Sequence, residues 1–460
     1  MRVKKIIEFY KESNDLLRKS QSKELVGIQY LNPQLPRAIT TKTYKVDINF
    51  FKKIIYFSLK FFKKKKNFNF FLNKDYKYLI LSHFVSYDHL DFNNDFYFGS
   101  LASKLNKDKV LFVLIDHIGF KKRNVLKKIK GNYIILSRNL DFFSEISLIL
   151  KTFLKIFYSS FYYKNLRFFN LKNILSSVDN QRISIQLKKI LKNQNVQNIF
   201  FTYEGYPYEK LLCYEASKLD KNIKKIGYQL GVIRKFQYSL FSFINKKFDP
   251  EIIFTIGNYN KKILLSKLKN RLNIQNFGYF KNIEIYHKKS QISDLKKFKI
   301  LVMPEGLVEE IKMFINFCSK NLNKNIEFTF RLHPIFLENK TIIEEINKTN
   351  GKIKISKRNL KSDIQNNNYL LYRGTSAIIN GVNSGLTPIY LHKRDQVSID
   401  PLYEVNKNYI INHDSELLNF MKNKINNKKL NKELFKIKKF CNLYYDKPKF
   451  NKLLKLLNKK

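Results

Sequence analysis

The sequence predicts two Rossmann-like, doubly wound α/β domains facing each other across a cleft, with helical extensions at both ends. Three observations carry this. Short apolar runs without polar alternation, as parallel strands covered on both faces require, recur along the chain. Segments of helical length and amphipathic pattern separate them, the alternation of α/β layering. The alternation stops at a charged stretch, 283–299, and then restarts. A chain of 460 residues is also long for one core, so two domains are expected.

In order, residues 1–74 form a basic, aromatic-rich extension. Strands of the first domain, 75–285, are read at 76–84, 109–117, 132–137, 198–203, 224–229 and 251–256, with a last strand and exit at 273–282. Helices are read at 96–105, 182–193 and 207–219. A linker occupies 286–298. The second domain, 299–418, carries strands at 299–304, 326–334, 352–356, 369–374, 386–391 and 408–412, separated by helical 309–322, 339–348 and 376–385. Residues 419–460 read as a helical tail. No repeat of solenoid period is visible.

The composition excludes several classes. With 44% hydrophobic and 15% aromatic residues, the chain has ample surface to bury, so wholesale disorder is excluded. The formal charge of +50 is extreme, yet Lys, Asn, Ile and Phe are enriched together while Gly stands at 14 and Trp at 0, a pattern an AT-rich genome imposes whatever the function. A cationic surface of this kind still attracts polyanions: nucleic acid, nucleotide-sugars or an anionic inner leaflet. Only 13 of the 87 basic residues are Arg, the fork that reads phosphates and base edges, and no nucleic-acid module is visible. No specific nucleic-acid partner is therefore expected; a non-catalytic polyanion-binding protein is the alternative that the lysines alone would support.

Cys213, Cys318 and Cys441 are far apart without CxxC spacing and read as buried thiols of a reducing cytoplasm. No signal peptide opens the chain. The most apolar stretches, 48–66 and 142–164, are broken by Lys or Glu before the about 18 apolar residues a span requires. Both mix Lys with aromatics as a helix in the headgroup plane does. Core packing suits 48–66 equally well and is the favoured reading for 142–164. Lys63 to Lys66, beside Phe61, Phe62, Phe68, Phe70 and Phe71, mark a candidate peripheral contact with the inner membrane.

P-loop, GxGxxG, HExxH and GxSxG patterns are absent, and no aspartates stand at DxD spacing, so catalysis without a bound metal or cofactor is expected. RLHP at 331–334 ends a strand, and Arg331 with His333 there would offer a guanidinium and an imidazole to an anion. In YLLYRGTSAIIN, Gly374 permits a sharp turn, with Arg373 beside it. Thr375 and Ser376 stand at a helix N-cap, where hydroxyls and free N–H groups hold phosphate or simply cap the helix. Glu305 and Gly306 follow the first strand of the second domain, Gly306 where backbone approaches a ligand; Glu309 and Glu310 suit the helix dipole. In the first domain, Glu204 and Gly205 leave a strand, a carboxylate placed to act as general base, while Glu209 suits a capping role. Gln229 and Gly231 line the next strand end. The segment 82–99 gathers His83, Asp88, His89, Asp91 and Asp95, read as a polar cleft loop in preference to a metal site.

The order of these motifs resembles that of bacterial sialyltransferases and polysialyltransferases, metal-independent GT-B glycosyltransferases that use CMP-activated sugars. Their acidic-Gly, HP and Ser/Thr motifs would be Glu204-Gly205, His333-Pro334 with Arg331, and Thr375-Ser376. The resemblance implies Glu204 as base, Arg331 and His333 on the donor phosphate, and Thr375 with Ser376 completing that pocket. Where the family motif has two acidic residues before the glycine, this chain has Tyr203 and Glu204. The motifs also resemble those of CDP-glycerol-type polymer transferases. A nucleotide-sugar donor and a surface-glycan or lipid-linked glycan acceptor are the partners implied.

Overall fold

The computed structural model describes residues 2–31, 75–85, 90–117, 132–163, 169–219, 221–281, 297–333, 336–337, 339–349, 351–394, 396–425 and 428–458. The stretch 48–66 and the Lys63–Lys66 cluster lie outside them.

Two helices, α1 (Arg2–Ser20) and α2 (Lys23–Val26), precede the first sheet. That lobe runs β1 (Tyr78–Phe84), α3 (Leu101–Lys104), β2 (Val110–Asp116), β3 (Tyr133–Ile135), α4 (Phe142–Tyr162), α5 (Leu171–Asn193), β4 (Asn198–Thr202), α6 (Pro207–Ala216), β5 (Lys224–Gln229), β6 (Ile252–Thr255), α7 (Asn258–Leu268) and β7 (Asn273–Asn276). The second runs β8 (Phe298–Met303), α8 (Val308–Lys320), β9 (Ile326–Phe330), α9 (Lys340–Asn347), β10 (Ile353–Ile355), α10 (Leu360–Asn366), β11 (Tyr369–Tyr372), α11 (Ala377–Asn383), β12 (Thr387–His392), β13 (Ile410–Asn412) and α12 (Leu417–Ile425). Helices α13 (Lys428–Asn442) and α14 (Phe450–Asn458) follow.

Every strand pairing in both sheets is parallel, in the orders β3-β2-β1-β4-β5-β6-β7 and β10-β9-β8-β11-β12-β13. The two orders are the same doubly wound plan. Each reverses direction beside its first strand, so the loops after β1 and β4, and after β8 and β11, diverge and open a crevice at the carboxyl edge. The expected strands are all present. Burial on both faces explains why they lack alternation: β1 and β4 are buried at every position.

The helices depart more from expectation. Residues 95–99 close a turn with reciprocal Asp95–Gly99 backbone bonds, which leaves only Leu101–Lys104 helical where the pattern spans ten residues. Helix α5 begins at Leu171 because Asn170 accepts from the Asn173 N–H at 3.0 Å, well before the pattern at 182. Helices α7 and α10 are not anticipated by the pattern.

The described parts of both extensions are built into the lobes. Leu16, Leu17, Leu25 and Val26 share a core with Ile156, Ile174, Val178 and Leu211 of the first lobe, and Arg18 Nε donates to the Phe243 carbonyl at 2.7 Å. At the other end α13 packs on α11, and the chain then crosses to the first lobe. There Asp446 N–H donates to Ile256 O, and Tyr279 and Lys449 N–H donate to Asp446 O and Phe277 O. Tyr444, Leu453 and Leu457 are buried in a core that includes residues of both sheets.

Candidate functional site

The first half of the site is the loop that follows β4. Tyr203 is buried and extends the ladder by one bond to Tyr228 O. Gly205 then turns with φ +89°, a region side chains rarely adopt, and an added Cβ would run into Ser239. The turn is held from beneath by Glu209, fully buried, whose carboxylate accepts from the N–H groups of Glu204 (3.0 Å), Gly205 (2.8 Å) and Tyr206 (3.0 Å). Burial pushes the Glu209 carboxyl well above its ordinary range, with the nearby Glu204 adding to the shift while the three N–H groups oppose it. Glu204 is thereby presented half-buried, its Oε1 3.2 Å from where a Gly231 Cβ would stand, so the glycine makes room for the carboxylate.

Gln229, expected to line the cleft, instead braces the neighbouring loop. It is buried, donates to Gly231 O at 2.5 Å and accepts from Asn260 Nδ2 at 2.6 Å.

Beside this loop, at the end of β1, sits His83, whose Nδ1 lies 2.8 Å from His117 Nε2 and whose Nε2 lies 3.2 Å from both Thr202 Oγ1 and Tyr208 Oη. Burial, reinforced by His117, holds the His83 imidazole down to about 3, so it is neutral at physiological pH. Tyr97 packs 4.9 Å from the His83 ring, and its hydroxyl is pushed up by burial and by Glu204. Of the acidic loop, Asp88 and His89 lie outside the described residues. Asp95 is a turn brace that accepts from Ser82 Oγ and from the N–H groups of Tyr97 and Phe98. Among the described residues no three His, Cys, Asp or Glu side chains gather as a metal site.

The second half repeats the construction. After β8, the Glu305 N–H donates to Glu310 Oε1 at 2.8 Å, the same five-residue spacing as Glu204 and Glu209. An added Cβ on Gly306 would lie 3.3 Å from His333 Nδ1, so the glycine lets the imidazole pack against the loop. Burial lowers the His333 pKa and favours its neutral form. Gly374, buried, gives the Glu305 carboxylate the space a side chain would need. Thr375 Oγ1 accepts from Ala377 N–H at 3.3 Å and so caps α11, whereas Ser376 is exposed with no capping bond of its own.

Two arginines take other positions than the motifs suggested. Arg331 follows the end of β9 but turns to Asp363 Oδ2 (2.7 Å) and the Arg358 carbonyl (2.8 Å), because Asp363, buried, requires a cation. Arg373 is buried at 1% exposure, donating to Gln396 at 2.9 Å and standing 3.8 Å from Glu310, so it supports the lobe from inside. Pro334 lies outside the described residues.

The residue that joins the halves is one the motifs did not reveal. Arg234, in the loop after β5, forms an ion pair with Glu305 at 2.9 Å, and both its Nε and a terminal nitrogen donate to the Gly374 carbonyl. On its own side, the Arg234 N–H donates to Gln237, whose amide donates to the Glu204 carbonyl at 3.4 Å. Thus Glu204, Gly231, Glu305, Gly306, His333, Gly374 and Ser376 flank one interlobe seam laced by Arg234. The loop YQLGVIR offers a weak signal for it, a strand end whose Gly231 clears Glu204 and whose Arg lies three positions on. His117 could have been found as the last residue of an apolar strand, the place where cleft side chains project. A carboxylate on a loop of the first lobe suits removal of a proton, and a neutral imidazole on a loop of the second suits hydrogen bonding to an anion.

No protein-family model and no curated protein sequence matches the chain. Among solved structures, the chain is similar in fold to the glycosyltransferase SnogD from Streptomyces nogalater, with 9% identity over 84% of this chain and 100% of that one at a TM-score of 0.45. It is similar to an α,α-trehalose 6-phosphate synthase from Burkholderia multivorans, with 8% identity over 84% and 96% at 0.45. It is also similar to MnaA of S. aureus in complex with UDP, with 13% identity over 82% and 94% at 0.46.

Proposed function

We propose that the protein is a glycosyltransferase that moves a sugar from a nucleotide-activated donor, a CMP-sugar by preference, to a surface-glycan or lipid-linked glycan acceptor. The observation that carries this reading is the seam itself. Loops from the switch points of both lobes meet there through Arg234, which reaches Glu305 and Gly374 in the second lobe and, through Gln237, the Glu204 carbonyl in the first.

In this mechanism the Glu204 carboxylate takes the proton of an acceptor hydroxyl. The oxygen forms its new bond to the anomeric carbon as the bond to the donor phosphate breaks, and the electron pair leaves with the phosphate oxygen. The neutral imidazole of His333 donates a hydrogen bond to that phosphate, as do the Ser376 hydroxyl and the N–H groups beside it. Arg234 supplies the guanidinium that Arg331 and Arg373, held elsewhere, do not. Fixed donors of this kind stabilise charge where it grows, and one of them is worth about 3–4 kcal/mol of barrier in well-studied cases.

The reading is tested by thermal shift against CMP, CDP, UDP and GDP, followed by donor hydrolysis and transfer. A nucleotide that stabilises the wild type, together with turnover abolished in Glu204→Gln at unchanged nucleotide binding, is expected. No nucleotide response, or full turnover in the Glu204 variant with a defined donor, refutes the assignment.

A further inference from the structure

Helix α4 is amphipathic in the wrong sense for a core helix. Its buried positions are Glu145, Leu148, Thr152, Ile156 and Ser160, three of them polar. They are satisfied inside the lobe: Arg182 donates to both oxygens of Glu145, Gln181 donates to Thr152 Oγ1 at 3.0 Å, and Ser160 donates to Ile156 O at 2.8 Å. The outward stripe is the apolar one, with Phe143 at 82% exposure, Leu154 at 60%, Phe161 at 58% and Tyr162 at 68%. Ten of the seventeen exposed large hydrophobic side chains among the described residues belong to this one helix. The favoured expectation that 142–164 packs its aromatics into the core is therefore overturned. Periodicity marks an apolar face but not the direction in which it points.

A patch of this size on a water-facing surface marks a contact. Charge decides which contact. The outward stripe carries Lys151 and Lys155, both exposed, and the helix's single acid, Glu145, is turned inward against Arg182. Asp141 stands outside, at the N-cap. A cavity of about 820 Å³ runs alongside, lined by Lys23, Lys151 and Lys155 against the one acid Glu24, with Phe143, Leu154 and Tyr158 as its apolar wall. A second copy of the chain would bring the same lysines and another +50 formal charge against these, and residues 48–66 are themselves lysine-rich. Neither complements the stripe. An anionic bilayer does, since aromatic rings and Leu enter the headgroup boundary while flanking lysines reach the lipid phosphates. Among the described residues no helix is long and apolar enough to cross a membrane, so the contact is made along the surface. The 21 residues of α4 make it about 32 Å long.

We infer that α4 lies in the plane of an anionic phospholipid surface, docking the first lobe there through Phe143, Leu150, Leu154, Phe157 and Phe161 with Lys151 and Lys155. This docking is independent of the proposed reaction, so its test uses no substrate. The chain contains no Trp, which makes a single introduced Trp a clean reporter.

Full-length Leu154→Trp is mixed with phosphatidylcholine vesicles, alone or containing one-quarter phosphatidylglycerol. A blue-shifted emission quenched by brominated lipid on the anionic vesicles is expected, with Phe435→Trp, exposed on α13, as the control that stays red. In co-sedimentation, the triple variant Phe143→Glu, Leu154→Glu, Phe161→Glu should bind anionic vesicles at least tenfold more weakly. Its melting transition checks that the fold is intact. Unshifted emission of the Leu154→Trp protein on anionic vesicles, unchanged vesicle affinity in the triple variant, or a blue shift that grows with protein concentration without lipid, the mark of self-association, each overturns the inference.

Discussion

Removing the carboxylate of Glu209 tests how the Glu204 loop is held. Three backbone donors, at 3.0, 2.8 and 3.0 Å, converge on one fully buried carboxylate, and Thr202 Oγ1 stands 3.4 Å from it. Each charge-assisted bond is worth roughly 1.5–3 kcal/mol, but burying the carboxylate offsets much of the sum, as its raised pKa shows. Glu209→Ala takes the acceptor from three N–H groups, that of Gly205 buried and those of Glu204 and Tyr206 part-buried, and should cost about 3–5 kcal/mol. Glu209→Gln keeps one acceptor oxygen and the volume, and should cost about 1–2 kcal/mol. In the Gln variant the loop shifts, so turnover should fall by roughly 10- to 100-fold, the penalty expected of a displacement near 1 Å, while nucleotide binding is unchanged. Urea denaturation and donor turnover measure the two effects. An Ala variant with the stability and rate of the wild type would show that the turn is held by something else.

Arg234→Ala removes the ion pair to Glu305 and the bonds to the Gly374 carbonyl and should cost about 1–3 kcal/mol, read by urea denaturation, while the shared core around Tyr444 and Leu453 keeps the lobes together; an unchanged urea midpoint would show that Arg234 adds nothing to the seam. His83 is buried neutral with its pKa lowered to about 3 from 6.5, so its contribution to stability is complete above 6.5 and is lost as pH falls below it. The wild type should therefore lose about 1.4 kcal/mol per pH unit more steeply than His83→Asn across pH 6 to 4, read from urea midpoints; parallel profiles would refute this. Arg373→Met removes the guanidinium 3.8 Å from the buried Glu310, which keeps the Glu305 N–H, and should destabilise by about 2–4 kcal/mol without altering the nucleotide preference; a selective loss of nucleotide binding would place Arg373 in the donor pocket after all.

The strands were legible because burial on both faces writes itself as an uninterrupted apolar run. Their doubly wound layering was legible because strands alternating with helices leave few right-handed ways to wind, while the strand orders themselves emerge only in the structure. The switch-point loops were legible for a related reason: Gly205 and Gly374 sit where a side chain would collide with Ser239 or Glu305. What stayed hidden depends on partners distant in sequence. RLHP places Arg331 two residues from His333, but only the fold brings Asp363 within 2.7 Å to take it. Arg234 lies 71 residues from Glu305 and 140 from Gly374, and no local pattern encodes that meeting. Helix α4 shows the same limit, since its inward polar residues make sense only once Arg182 and Gln181 are seen facing them.

The return of residues 443–457 to the first lobe has a consequence for synthesis. Tyr444, Leu453 and Leu457 complete a core whose other members, among them Tyr78, Phe84 and Phe112, emerge from the ribosome more than 300 residues earlier. During that interval the earlier lobe carries an open apolar face while the later one is still being made. A nascent chain stalled anywhere before residue 443 should therefore be a target for chaperones or proteases even though its own sheet is already assembled.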